Sequence, residues 1–354
     1  MPVDQKPVRA LVIGTGHIGQ QHIQALKKVA NCNVAVCDRS AAMAELTADR
    51  YLTSDWYTDA AIALEKFSPD VAHICTPVNS HLPLAKLALQ RGTHVIVEKP
   101  VTENLTDWLS LRETAERSGC WLIEDHNYLF NPPVKRVIRL IASGEFGDVV
   151  HVDVQFALNI HGPQSAFSDP HLAHPALKTA GGAIADFLTH LSYLAIQLVG
   201  PAQKVRTIWQ KRETDSPVPH DEMRAMVESS RGTAQLVFSS HTQPDAFRMM
   251  VPGTKMTATI NLFENLCHID KNRGKGAVTA LVNSLAAGRN YTMGGLRSLS
   301  AKLSASPGGY AGLHNLIAEF YQCLRDGSRC PIALKQIDDT SRLIDALIDT
   351  ENQI

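Results

Sequence analysis

The chain has 354 residues, of which 44% are hydrophobic and 19% charged, and its net charge is −1. That length supports two domains with ordinary globular cores. Near-neutral charge offers no field for nucleic acid or an anionic membrane, so neither is expected as a partner. The apolar runs fall short of a membrane span, and Met1–Arg9, with Asp4, Lys6 and two prolines, does not read as a signal peptide. Seven cysteines, Cys32, Cys37, Cys75, Cys120, Cys267, Cys323 and Cys330, include no CxxC pair. Their odd number and spacing suggest neither a disulfide framework nor a zinc site, and a cytoplasmic location is expected.

From Val8 to Asp125 short apolar runs alternate with helical patterns. Strands are expected at Arg9–Gly14, Val34–Asp38, Val71–Cys75, His94–Glu98 and Trp121–Asp125. Helices are expected at His17–Ala30, Ala41–Tyr51, Asp59–Phe67, His81–Arg91 and Asn104–Ser118. This alternation predicts an α/β fold, a doubly wound parallel sheet of Rossmann type over residues 1–127.

The first strand runs into Gly14-Thr15-Gly16-His17-Ile18-Gly19, a GxGxxG turn that opens a helix. Glycines there allow a tight turn and close approach of backbone to a pyrophosphate, which the helix N-terminus would hold. Asp38 ends the second strand, nineteen residues after Gly19, where its carboxylate can accept ribose hydroxyls. Gly14, Gly16, His17, Ile18, Gly19 and Asp38 are therefore assigned to a dinucleotide. Asp38 favours NAD over NADP. Arg39 reads as an adenine or phosphate contact, or as a solvated strand end. Cys75-Thr76-Pro77, Asn79 and His81 lie where a later strand leaves the sheet and are placed beside the cofactor; His81 reads equally as the start of the next helix. Val95-Ile96-Val97 ends in Glu98-Lys99-Pro100, a charged pair at the tip of a buried strand that proline then stops. Glu98 and Lys99 are added to the cofactor side.

Beyond Asn127 the pattern changes, and residues 128–354 are expected to form an α+β domain with a large, mostly antiparallel open sheet. A helix at Pro132–Ser143 precedes a strand at Val149–Ile160. Further strands are expected at Lys204–Gln210, Glu222–Glu228, Thr233–Ser239, Phe247–Val251, Lys255–Asn261 and Asn265–Asp270. Lys271–Ser306, with clustered Gly, Ser and Arg, reads as a helix–loop excursion. Helices at Tyr310–Asp326 and Lys335–Asp349 close the chain, the last one packing back toward the first domain.

The helix Gly182–Val199 is apolar almost all round, but Asp186, His190, Tyr193 and Gln197 fall in one stripe roughly 60° wide. Asp186 and His190, at i and i+4, either form an acid/base pair or tie the helix to a neighbour.

The ordered set of GxGxxG, Thr76-Pro77 with His81, Glu98-Lys99-Pro100 and Gly181-Gly182-x3-Asp186-x3-His190 resembles the glucose–fructose oxidoreductase/inositol 2-dehydrogenase family, often written Gfo/Idh/MocA. The closing pattern of Phe320, Gly327, Pro331 and Asp338/Asp339 extends the resemblance along the chain. It implies an enzyme that exchanges hydride between NAD(P) and a carbinol or keto carbon of a sugar, cyclitol or nucleotide-sugar. It also implies a homodimer or homotetramer built through the second domain's sheet. Lys99, Asp186 and His190 match the family's catalytic positions: His190 as acid/base, Asp186 as its orienter, Lys99 as the polarising or proton-sharing group, with the proton carrier open between Lys99 and His190. Alternatives are a retained NAD used for transient oxidation in isomerase, lyase or glycosidase-like chemistry, and a non-catalytic redox sensor.

Where many relatives carry an arginine, this chain has His126-Asn127-Tyr128, so Asn127 and Tyr128 are candidate substrate contacts. His161, His171 and His174, in a loop leading to Asp186, are further candidates for the substrate. Their 10- and 3-residue spacings match no strong ligand motif, and no metal is expected.

Overall fold

The computed structural model describes residues 6–162, 165, 167, 181–216, 218–271, 276–303 and 310–349. His171 and His174 lie outside them. The chain forms two compact units, Met1–Asn127 with Leu313–Asp338, and Tyr128–Gly312 with Asp339–Ile354.

In the first unit the elements run β1 (Val8–Ile13), α1 (His17–Leu26), β2 (Cys32–Cys37), α2 (Ala41–Tyr51), β3 (Trp56–Tyr57), α3 (Ala60–Phe67), β4 (Val71–Ile74), α4 (His81–Leu89), β5 (His94–Val97), α5 (Leu105–Ser118) and β6 (Leu122–Glu124). The six strands pair in the order β3-β2-β1-β4-β5-β6, all parallel. Leu11, Val36, Ala72 and Ile96 are fully buried, as expected for strands covered on both faces. Side chains of Ser40, Asp59 and Asn104 accept backbone hydrogens in the first turns of α2, α3 and α5, so these helices start where the sequence supplies a cap. Strand order reverses between β1 and β4, which places a ligand crevice beyond their carboxyl ends. Only β3 escapes the sequence reading, because two residues carry no periodicity.

The second unit contains α6 (Pro132–Ala142), β7 (His151–Ala157), α7 (Gly182–Val199), β8 (Ala202–Gln210), β9 (Glu222–Ser229), β10 (Gly232–Ser239), β11 (Ala246–Pro252), β12 (Met256–Asn261), β13 (Leu266–Lys271) and α8 (Ala277–Leu303). Its sheet has the order β13-β12-β11-β7-β10-β9-β8, with β7 and β10 parallel and every other pair antiparallel. α7 lies along β7, β10 and β9. Its 18 residues and mean hydropathy of 1.3 would suit a membrane span, yet 83% of it is buried, as in a core helix. Phe156 packs against Phe187, Phe238 and Phe247 beneath it. Residues 277–303 form one 27-residue helix in place of the expected excursion. The chain closes with α9 (Ala311–Asp326) and α10 (Leu334–Asp349).

Candidate functional site

At the end of β1 the backbone of Gly14 has φ +95°, and a Cβ there would stand 2.7 Å from the Cys75 carbonyl oxygen. A Cβ on Gly19 would stand 1.9 Å from the Gly14 oxygen. Both positions therefore require glycine, the first for conformation and both for contact. Gly16 meets nothing within 4 Å, and as the N-cap of α1 it leaves that helix without a side-chain cap. The first turn also lacks acidic residues. Uncapped amides beside open space suit a pyrophosphate, so these residues fit a dinucleotide. His17 is exposed and Ile18 half-buried.

Asp38 follows β2. Its Oδ2 accepts from the Thr15 amide and hydroxyl, both at 2.9 Å, and its Oδ1 accepts from the Ser40 amide at 3.0 Å. Burial works against its charge, but the hydrogen bonds from Thr15 and Ser40 outweigh it and hold the carboxyl below its ordinary range. Arg39 is exposed beside it.

After β4, burial pushes the Cys75 thiol well up, so it acts as a packed apolar group. Thr76 is half-buried and accepts from Ser80 Oγ at 2.6 Å, while Pro77 and Asn79 are exposed. His81 turns inward at the start of α4. Its Nδ1 faces the Pro100 carbonyl at 2.9 Å and its Nε2 the Thr76 carbonyl at 2.8 Å. The ring sits between two turns, and its N–H donates to one of these oxygens.

Glu98 also turns into the unit. Its Oε1 pairs with His22 Nε2 at 3.0 Å, and its Oε2 accepts from the Lys99 amide at 3.2 Å. His22 Nδ1 meets His73 Nδ1 at 2.9 Å, and His73 Nε2 meets the Tyr321 hydroxyl at 2.9 Å. This buried chain accounts for a charge at the strand tip. Burial opposes ionising Glu98, but His22 and Lys99 hold it below its usual range. Burial, with Glu98 and Glu124 beside it, raises the Asp125 carboxyl well above its ordinary range. Lys99 is half-buried directly after β5, on the sheet edge where β1, β2 and β4 also end.

In the second unit His190 is 7% exposed, and its Nδ1 meets the Tyr193 hydroxyl at 2.9 Å. That hydroxyl also accepts the Tyr128 amide at 3.2 Å. The Tyr128 ring stands edge-on to His190, with centroids 5.0 Å apart. Tyr193 thus holds the imidazole, a role its place three residues after His190 in the polar stripe could have signalled. Asp186 is half-buried one turn earlier. Asn127, half-buried, closes the first unit's leading segment. His161 pairs instead with Asp221, 3.4 Å away.

A parallel sheet of this order, with an uncapped glycine turn and a carboxylate closing the second strand, defines a dinucleotide-binding protein of Rossmann class. Two family models match the chain: an oxidoreductase-family NAD-binding Rossmann fold over residues 8–126, and a Gfo/Idh/MocA C-terminal domain over residues 134–259. The chain belongs to the Gfo/Idh/MocA oxidoreductase family, and its first unit carries the family's NAD-binding Rossmann fold. It is 27% identical over 179 residues to 4-carboxy-2-hydroxymuconate-6-semialdehyde dehydrogenase of Sphingobium sp., covering 49% of this chain and 56% of that protein. It is 30% identical over 172 residues to D-xylose 1-dehydrogenase (NADP(+)) 2 of Haloferax volcanii, covering 48% and 53%. The chain thus spans about half the length of these curated relatives. Levoglucosan dehydrogenase, solved with NADH and levoglucosan, shares the fold at a TM-score of 0.76 and 16% identity, over 98% of both chains.

Proposed function

We propose that this protein oxidises a carbinol carbon of a sugar-like substrate, or reduces the matching carbonyl, with NAD. The observation that carries the reading is the buried His190 ring, anchored through Nδ1 by Tyr193. With its hydrogen on Nδ1, the ring donates to the Tyr193 oxygen, which also accepts the Tyr128 amide. Nε2 is then the unprotonated ring position that can take a proton.

Bound NAD supplies the hydride acceptor. His190 takes the hydroxyl proton, Asp186 orients His190, and the Lys99 ammonium stabilises negative charge on the substrate oxygen. In the reductive direction His190 returns the proton. Asp38 selects NAD, since a carboxylate held in place by Thr15 of the glycine turn would repel a 2′-phosphate. The sugar class is supported by the names of the D-xylose and levoglucosan enzymes. Asn127 and Tyr128 are proposed as substrate contacts.

The experiment is turnover of Lys99→Ala and His190→Ala against a panel of sugars, cyclitols and nucleotide-sugars. Each variant should lose at least about 100-fold in kcat, with NAD affinity nearly intact. Unchanged turnover in either variant would contradict its role.

The second unit's sheet is the surface proposed for homo-oligomerisation. In register across it, Ile208, Arg224 and Met226 share a face with Gln235, Asp153, Arg248 and Met250. Ile208, Met226 and Met250 are exposed there. Light scattering should give a dimer or tetramer, and Ile208→Lys with Met226→Lys should reduce it to the monomer mass.

A further inference from the structure

Three residues far apart in sequence meet at one end of the second unit's sheet. His161 lies four positions after β7, Asp221 immediately precedes β9, and His241 lies two positions after β10. Because Ser239 pairs with both Ala157 and Glu222, these three strand ends coincide. His161 Nε2 stands 3.4 Å from Asp221 Oδ2, and His241 Nε2 stands 3.1 Å from the same oxygen. All three ligand atoms lie within 4.8 Å of one another.

We propose that His161, Asp221 and His241 bind one divalent transition-metal ion, with zinc as the reference cation. The two separations from Asp221 are close to those a metal imposes. Zinc bonds of roughly 2.0–2.1 Å at tetrahedral angles place neighbouring ligand atoms about 3.3 Å apart. A hydrogen bond accounts for the His241–Asp221 contact but not for His161. Among the described residues, His161 Nε2 is buried without a hydrogen-bond partner, its 3.4 Å approach to Asp221 being an ion-pair distance.

The ligands are also held in place. Asp221 Oδ1 accepts from the Arg212 amide at 2.8 Å, and Oδ2 accepts from the Glu213 amide at 2.7 Å. The second lone pair of Oδ2 faces His241 Nε2 at 3.1 Å, and a bound ion would take the place of that hydrogen bond. The His161 amide donates to Asn159 Oδ1 at 3.0 Å, and the His241 amide to Ser239 Oγ at 3.3 Å. Such supporting bonds orient metal ligands. Two neutral imidazoles and one carboxylate form a set of charge −1 that suits a divalent ion and leaves coordination positions open. His241 is exposed, so the ion has an entry path and the open positions can take water or other oxygen donors. His22, Glu98 and Asp125 also converge, but all three are buried and both His22 nitrogens are already engaged.

A bound ion ties three segments together and braces the start of α7. Pro219, two residues before Asp221, fills the place a Cβ on Gly182 would take, with its Cγ 2.6 Å from that position.

The test uses the full-length protein, stripped with chelator and titrated with zinc chloride by calorimetry. The wild type should take up one equivalent, and zinc should raise its Tm. His161→Ala and His241→Ala should each weaken zinc binding by at least about tenfold, and zinc should no longer raise the Tm of the double variant. His241 is exposed, so its variant keeps the test open should His161→Ala fail to fold. A wild type that binds no zinc, or variants that bind it as tightly as the wild type, would overturn the proposal.

Discussion

At Asp38 one carboxylate serves both the fold and the proposed cofactor choice. Its two bonds to Thr15 join the glycine turn to the end of β2, and its bond from Ser40 holds the start of α2. Asp38→Ala should therefore loosen the turn and remove the ribose acceptor together. NAD affinity is expected to fall at least tenfold, about 1.4 kcal/mol or more, with a smaller loss for NADP because the repulsion is also gone. Fluorescence titration with both dinucleotides measures this; equal losses would contradict the selective role. The cradle residues were legible in the sequence because their spacing is local. The metal ligands were not, since His161, Asp221 and His241 come from three strand ends and share no spacing. His81 and Glu98 were legible as a position on the sheet edge, but not as side chains turned away from it.

Among the elements, periodicity carried as far as regular packing reaches. α2 and α7 lie at the bounds their patterns predict: the Ser40 side chain caps the start of α2, and Gly181 and Gly200, both at positive φ, flank α7. The segment that became α8 looked broken because Gly288, Gly294 and Gly295 weaken a helix. Gly294 has a reason to be there: a Cβ on it would stand 2.5 Å from Leu266 Cδ2, so glycine lets α8 lie close against β13. The His22–His73–Tyr321 chain was invisible, because each residue reads as an ordinary member of a helix or strand. In that chain Tyr321→Phe removes the partner of His73 Nε2 in a fully buried place. The variant should lose about 1–3 kcal/mol in urea unfolding; a loss within a few tenths would mean that the bond contributes little.

For the molecule as a whole, acid should act chiefly on the first unit. Burial lowers the pKa of His73, His81, His94 and His314, the last to about 4, and all four lie in that unit. Between those lowered values and the ordinary histidine range the unfolded chain binds more protons than the native one, so stability falls as pH drops below about 6.5. Asp125, raised well above its ordinary range, works in the opposite sense, and the four histidines are expected to outweigh it. Thermal unfolding should show a lower Tm at pH 5 than at pH 7, and a higher one would contradict the assignment.

The first unit is completed from the far end of the chain, and this bears on how it is made. Tyr321 follows its partner His73 by 248 positions, and Asp338, which accepts from Trp108 Nε1 at 3.0 Å and Arg112 at 2.8 Å, follows Trp108 by 230. On the ribosome the amino-terminal sheet therefore emerges long before α9 and the first turn of α10 exist to cover it. Its surface waits, apolar and unfinished, while residues 128–312 of the other unit are translated. Residues 1–127 produced alone are a fragment of a unit. A rearranged gene that places residues 313–338 ahead of β1 would let the unit close as soon as it is synthesised.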